Sequence, residues 1–204
     1  MTATGPTVLV VDDDPSVLRG LERLLRAAGY VVEGYASPRA FLERAPWDRP
    51  GCAVVDLRMP EMGGIELQEE LARRGCALPI VFLIGHGDVS SSVRAMKRGA
   101  IDFLTKPCDD TDLIAAVERA LARDAEGRAA REEQQAVRAR FEVLTPRERE
   151  VCLLVARGLP NKRIAAELGT AEKTVKVHRG RVMEKLGVES LAELVRLVDR
   201  LQGP

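Results

Sequence analysis

The chain lacks any stretch long enough to cross a membrane as a helix. Its longest apolar run, Ala77 to Ile84, contains Pro79 and falls far short of the ~20 residues a span requires. The opening Met-Thr-Ala-Thr-Gly-Pro has neither the basic stretch nor the apolar stretch of a secretory signal. Cysteine is sparse: Cys52, Cys76, Cys108 and Cys152 are widely spaced and form no C-x-x-C, which argues against a disulfide framework or a zinc knuckle. The two histidines, His86 and His178, stand far apart. A reduced, cytoplasmic protein with no membrane partner is the expectation. No charge sign prevails either, with 31 Lys+Arg against 31 Asp+Glu. What is present suits a globular protein: 46% of the residues are hydrophobic and 30% charged, over 204 residues that allow one large or two small domains.

The zero net charge hides an asymmetry. Residues 1–123 carry 15 Lys+Arg against 18 Asp+Glu, whereas residues 124–204 carry 16 against 13. Within 157–185 the count is 8 against 3, so positive charge is concentrated near the back of the chain. Two domains with different partners are the natural reading.

The front half alternates strand and helix. Short apolar strands are expected at 7–11, 31–35, 52–55, 80–84 and 101–104. Helices are expected over about 15–28, 38–44, 64–74 and 89–97, with a last one carrying Leu113, Ile114, Val117, Ala120 and Leu121. Asp14 followed by Pro15 reads as an N-cap and first helical position, and Gly29 closes that helix. Continuous rather than alternating apolar strands imply a parallel sheet covered on both faces. Ligands on such sheets bind beyond the carboxyl ends of the strands, which here carry Asp12, Asp13, Asp56 and Lys106. Each of these could be a plain cap or a surface charge. Together they place three carboxylates and one ammonium on one rim, where mutual repulsion would be relieved by the lysine and a divalent cation. Hard oxygen ligands suit Mg²⁺, and a carboxylate beside it can accept a phosphoryl group.

Val-Val-Asp-Asp-Asp (10–14), Val-Asp-Leu-Arg-Met-Pro (55–60) with Gly63-Gly64, Gly85-His-Gly-Asp88, Ala95-Met-Lys-Arg-Gly-Ala100 and Asp102-Phe-Leu-Thr-Lys-Pro107 resemble the receiver domain of bacterial response regulators. The resemblance implies a flavodoxin-like α/β fold with a five-stranded parallel sheet in the order 2-1-3-4-5. It implies that Asp56 accepts a phosphoryl group from a sensor histidine kinase. Asp12, Asp13, Asp56 and the backbone carbonyl of Arg58 would hold Mg²⁺, and Lys106 would pair with the phosphoryl oxygens. Phe103 would be the aromatic that turns inward on activation, and the Lys106-Pro107 bond would be cis. One position departs from the pattern: Ile84 stands where the family carries Thr or Ser. The missing hydroxyl would have donated a hydrogen bond worth ~1.5–3 kcal/mol to the phosphoryl group. Ile84 also adds bulk beside the space Phe103 should enter. Weakened coupling between phosphorylation and the active conformation is one expectation; a buried strand end with compensation elsewhere is the other.

Residues 124–141 are rich in Ala, Arg, Glu and Gln, with Gly127 among them. A solvated helix that continues the last receiver helix, broken near Gly127, is expected as the linker between a receiver over 1–123 and a second domain over 142–204. That second domain reads as a compact all-α unit of four helices. Thr145-Pro-Arg-Glu148 is a capping box; Asn161 and Thr170 read as caps of the second and third helices. Two short helices around a tight glycine turn make a helix-turn-helix. On the third helix Val175, Val182 and Leu186 face inward, while Lys173, Lys176, Val177, Gly180 and Glu184 share the opposite face. Leu191, Leu194, Val195 and Val198 form the inner stripe of the fourth.

Leu144-Thr-Pro-Arg-Glu-Arg-Glu150, Gly158-Leu-Pro-Asn-Lys-Arg-Ile-Ala165 and Thr174-Val-Lys-Val-His178 with Lys185-Leu-Gly187 resemble the LuxR-type DNA-binding domain. The resemblance implies that Lys176 and Val177 meet base edges of promoter DNA, with Lys173 on the same face. Thr174, His178 and Arg181 would lie nearer the phosphates. Gly180 stands where some relatives place a third basic contact. A receiver followed by this domain is similar to the NarL/FixJ family, and within it to FixJ-like, styrene-degradation-regulator-like members. The implied function is a two-component transcription regulator that forms a homodimer on phosphorylation and engages RNA polymerase, with no enzymatic turnover beyond its own phosphoryl transfer and dephosphorylation. Asp12-x-Asp14 also superficially matches a Mg²⁺-dependent phosphohydrolase with Asp12 as nucleophile, although no later acidic pair has the needed spacing.

Overall fold

The structure, a computed structural model, describes residues 5–85 and 101–202. The chain divides into two compact units, 1–127 and 128–204. The expected helix over 89–97 and the motif residues 86–88 and 95–100 lie outside the described residues.

The first unit is built on five parallel strands: β1 (Thr7–Val11), β2 (Val31–Tyr35), β3 (Gly51–Asp56), β4 (Ile80–Ile84) and β5 (Asp102–Thr105). Their order is β2-β1-β3-β4-β5, the flavodoxin-like arrangement. The third and fifth strands differ slightly from expectation, β3 beginning at Gly51 and running through Asp56, and β5 shifted by one residue. Alternate residues feed two cores, as a sheet covered on both faces requires. Leu9, Val11, Val55, Phe82 and Ile84 pack with Phe41 of α2 (Pro38–Arg44) and with Leu67 and Leu71 of α3 (Gly64–Arg73). Val8, Val10, Cys52, Val54, Val81 and Leu83 pack with Leu21 and Leu25 of α1 (Pro15–Ala27), and with Leu113 and Val117 of α4 (Asp110–Glu142).

The caps explain where these helices start. Asp14 accepts the backbone N–H groups of Ser16 at 2.7 Å and Val17 at 3.3 Å, and Pro15 opens α1. The long helix α4 runs 33 residues without interruption, so the expected break at Gly127 does not occur. Gly127 is flanked by Ala125, Glu126, Arg128, Ala129 and Ala130, strong helix formers that together outweigh the ~1 kcal/mol cost of one glycine.

The second unit contains α5 (Pro146–Ala156), α6 (Asn161–Glu167), α7 (Glu172–Leu186) and α8 (Leu191–Gln202). Val137 and Phe141 from the end of α4 join its core, which centres on Val151, Cys152, Ile164, Val175, Val182, Leu186 and Leu194. Thr145 caps α5 as expected: its hydroxyl accepts the N–H of Glu148, whose carboxylate accepts the N–H of Thr145 at 2.9 Å. Two expected caps are corrected. Pro160 precedes α6 and leaves Asn161 as its first helical residue, and Ala171 rather than Thr170 precedes α7, after the turn through Gly169. Neither cap residue contributes a side-chain hydrogen bond. The inner stripe of α8 is Leu194, Leu197 and Val198; Leu191, expected in it, is exposed, because the helix begins there and its first turn projects beyond the core.

Candidate functional site and nucleic-acid interface

Three strand ends and one loop assemble the polar centre of the first unit. β1 leads into Asp12, β3 ends at Asp56, and β5 leads into Lys106. Asp12 and Asp56 are buried, at 1% and 7% exposure, in a rim otherwise made of apolar strands. Lys106 Nζ lies 2.6 Å from Asp12 Oδ2 and 2.5 Å from Asp56 Oδ1, bridging them. The remaining oxygens are also engaged: Asp12 Oδ1 accepts the N–H of Asp14 at 2.9 Å, and Asp56 Oδ2 accepts that of Arg58 at 3.0 Å. The Lys106-Pro107 bond is cis, and the N–H of Lys106 donates to the carbonyl of Ile84 at 2.7 Å.

Gly64 explains how the loop after β3 folds back beneath Asp56. A Cβ there would lie 2.6 Å from the Asp56 carbonyl oxygen and 2.9 Å from the Phe82 ring, so only glycine allows this approach. The Gly64 N–H closes the loop on the carbonyl of Leu57 at 3.0 Å.

The electrostatics follow from two buried acids sharing one cation. Burial raises the Asp56 carboxyl above its ordinary range; the hydrogen bond and charge of Lys106 pull it back without cancelling the rise. Burial also works against the Lys106 ammonium, but its hydrogen bonds to Asp12 and Asp56 prevail and its pKa is raised. Lys106 therefore stays charged.

The donors Asp12, Asp13, Asp56 and the Arg58 carbonyl are all hard oxygens, the chemistry Mg²⁺ selects. With two buried carboxylates against one ammonium, the rim favours additional positive charge. Asp13, however, is exposed, and among the described residues no three His, Cys, Asp or Glu side chains converge as a metal cage. Lys106 holds the inner oxygens of Asp12 and Asp56 in this arrangement. Asp14, the second acid of the phosphohydrolase alternative, is committed to capping α1.

Of the two residues the resemblance assigns to a switch, Ile84 is buried at 7% exposure and belongs to the apolar layer that Phe103 packs against. Phe103 stacks on Phe82, with ring centroids 5.6 Å apart and planes at 19°. The parallel register pairs these two residues directly across β4 and β5.

In the second unit, α7 buries Val175, Val182 and Leu186 and turns Lys173, Thr174, Lys176, Val177, Gly180 and Arg181 to solvent. Val177 is 48% exposed, unusual for a β-branched apolar residue and suited to contact with an apolar base group. His178 is half-buried, with its Nδ1 enclosed and without a hydrogen-bond partner, so its imidazole is turned partly inward. Sequence reasoning overlooked the pair that locks this helix in place: Lys185 Nζ meets the buried Glu148 carboxylate at 2.7 Å and so joins the end of α7 to the capping box of α5. It also overlooked Asp124, a buried carboxylate of α4 taken as the start of a linker.

Comparison with known proteins agrees with both units. Residues 8–118 match the response regulator receiver domain, and residues 142–198 match the luxR family of bacterial regulatory proteins. Nodulation protein W of Bradyrhizobium diazoefficiens is 46% identical over 199 residues, covering 98% of this chain and 88% of that protein. The transcriptional regulatory protein FixJ of Rhizobium meliloti is 43% identical over 194 residues, covering 95% of each. Among solved structures, the response regulator StyR superimposes with a TM-score of 0.83 at 53% identity, covering 95% of this chain and 98% of that one. Full-length FixJ from B. japonicum gives 0.61 at 40% identity, with 98% of each covered. With an acid pair bridged by lysine on a 2-1-3-4-5 sheet, followed by a helix-turn-helix with a basic outer face, the chain belongs to the NarL/FixJ family of two-component response regulators.

Proposed function

We propose that the chain is a transcription regulator switched by phosphorylation of Asp56. The observation that carries this reading is the position of Lys106 Nζ, within 2.6 Å of both Asp12 and Asp56. A carboxylate oxygen of Asp56 attacks the phosphorus of a phosphohistidine on the sensor kinase. The P–N bond breaks, the imidazole leaves with that electron pair, and an acyl phosphate remains on Asp56. Lys106 is already in place to leave its carboxylate partners and pair with a phosphoryl oxygen. Asp12, Asp13, Asp56 and the Arg58 carbonyl would hold Mg²⁺, which supplies charge neutralisation for the transferred group. Turnover is limited to this transfer and to hydrolysis of the acyl phosphate.

Phosphorylation then favours a homodimer, whose two recognition helices engage two half-sites of promoter DNA at higher affinity than one. Lys173, Lys176 and Val177 face the base edges, while Thr174, His178 and Arg181 lie nearer the phosphates. RNA polymerase is the further partner at the promoter.

A specific observation favours a second reading. Ile84 offers no hydroxyl to the phosphoryl group and is packed in the layer that receives Phe103. Phosphorylation would then proceed while its effect on the active conformation is weak, and regulation would come from protein contact or abundance.

Light scattering with Mg²⁺, before and after addition of beryllofluoride as a phosphoryl mimic, separates the two. A monomer-to-dimer shift that Asp56→Asn abolishes supports the switch. Beryllofluoride bound at Asp56 without any shift in mass supports the weakly coupled receiver.

A further inference from the structure

Asp124 is 3% exposed, although it is a carboxylate. It follows Leu113, Ala116, Val117 and Ala120, all fully buried, at the spacing that continues their stripe along α4. An acid therefore stands where packing alone would select an apolar residue. Its Oδ2 accepts the backbone N–H of Gly51 at 2.9 Å. Gly51 is the first residue of β3, and the ladder from β3 to β4 begins only at Ala53, so this amide extends beyond the reach of the neighbouring strand. On its other side Gly51 is held against β1: a Cβ there would lie 2.2 Å from the Thr7 carbonyl oxygen. The same six-residue strand ends at Asp56.

We propose that Asp124 is a positioning residue that ties the start of the phosphoacceptor strand to α4. It fixes the register of that helix on the sheet, so that a change at Asp56 is passed along β3 to a helix continuing to Glu142. The proposal rests on Asp56 being the phosphoacceptor. The physical need for such a latch lies in the stripe itself. Contacts made by alanines and aliphatic side chains are non-directional and tolerate sliding or partial rotation. A hydrogen bond to an enclosed carboxylate is directional and stronger than a neutral one. Only one setting of the helix satisfies it.

Two variants separate a latch from mere packing. Asp124→Leu removes the acceptor and extends the apolar stripe; Asp124→Asn keeps an oxygen for Gly51. Amide hydrogen exchange of the full chain is followed by NMR at Gly51 and over 110–142, without and with beryllofluoride and Mg²⁺. In Asp124→Leu, exchange at Gly51 accelerates by about tenfold or more, beryllofluoride occupancy at Asp56 stays within about twofold of wild type, and the response over 110–142 disappears. In Asp124→Asn that response persists. Unchanged protection of Gly51 in Asp124→Leu overturns the latch, as does a beryllofluoride response that survives in it or is lost equally in both variants. Wild-type binding of beryllofluoride that Asp56→Asn retains overturns the phosphoacceptor reading instead, and the latch is then decided by Gly51 protection alone.

Discussion

The backbone N–H of Lys106 donates to the carbonyl of Ile84 at 2.7 Å, so the lysine that bridges the acids and the apolar residue that ends β4 are joined through the main chain. Strand ends β4 and β5 are therefore held together whichever side chain occupies position 84. Ile84→Thr tests what the side chain itself does. The hydroxyl should strengthen the beryllofluoride-induced dimer by roughly tenfold or more in the dimerisation constant. The same change removes a buried ethyl group and should lower stability by about 1–2 kcal/mol. Light scattering and urea denaturation read the two effects separately. An unchanged dimerisation constant would show that position 84 does not limit the switch.

Asp56 and Lys106 should respond in opposite directions to removal of charge. The Asp56 carboxyl is raised in the folded state, so its contribution to stability is fully present below its ordinary value and lost as pH rises through the folded one. Ionised Asp56 thus weighs against folding at neutral pH. Asp56→Asn is expected to be about 1 kcal/mol more stable than wild type at pH 7, with the advantage fading in acid. Lys106→Ala leaves two enclosed carboxylates without their cation and should cost about 2 kcal/mol at pH 7. Urea midpoints across pH 3.5 to 7.5, on the order of the range where carboxyls titrate, provide the measurement. A destabilised Asp56→Asn at pH 7 would contradict the assigned electrostatics.

Glu148 predicts the opposite pH behaviour in the second unit. Lys185 and the Thr145 N–H hold its carboxyl well below the usual carboxylate range, at about 2. A depressed pKa gives stability that is present above the ordinary value and lost as pH falls through the folded one. The second unit should therefore weaken progressively from pH 4.5 towards 2. Glu148→Gln should cost about 2 kcal/mol at pH 7 and flatten that acid limb. Equal acid sensitivity of variant and wild type, followed by circular dichroism of the helical signal, would assign the loss to other groups.

Gly180 offers a gain rather than a loss. It lies inside α7, is exposed, and a Cβ there would meet nothing within 4 Å. Gly180→Ala should stabilise the second unit by about 0.5–1 kcal/mol through helix propensity alone. Gly180→Arg should add DNA affinity as well and steepen the salt dependence of binding by about one counterion. Fluorescence anisotropy over a series of salt concentrations distinguishes the two variants. An Arg variant with the salt slope of the Ala variant would place position 180 away from the DNA.

Much of this is legible in the amino-acid sequence, and the reasons are local. Asp14-Pro15 and Thr145-Pro-Arg-Glu148 carry their caps within four residues, so the starts of α1 and α5 follow from covalent neighbours. Asp12 and Asp56 stand at the ends of near-continuous apolar strands and Lys106 follows the mixed strand β5, and parallel topology brings these three ends to one rim. What escaped depends on partners distant in the chain. Asp124 satisfies an amide 73 residues away, and Lys185 an acid 37 residues away, and neither spacing leaves a periodic trace. Asn161 and Thr170 are favoured cap residues by type, whereas the turns through Gly158 and Gly169 set the helix starts one residue away.

The ammonium of Lys106 has a consequence for how this protein meets a shortage of divalent ions. Because it already spans Asp12 and Asp56, it acts as a built-in counterion, and the scaffold does not depend on an external one to hold its acids together. Chelation should silence the chemistry and remove only the stability that ion binding adds, leaving the fold itself intact. Ion supply would then govern whether a signal is received, and the amount of folded protein waiting to receive it would stay constant.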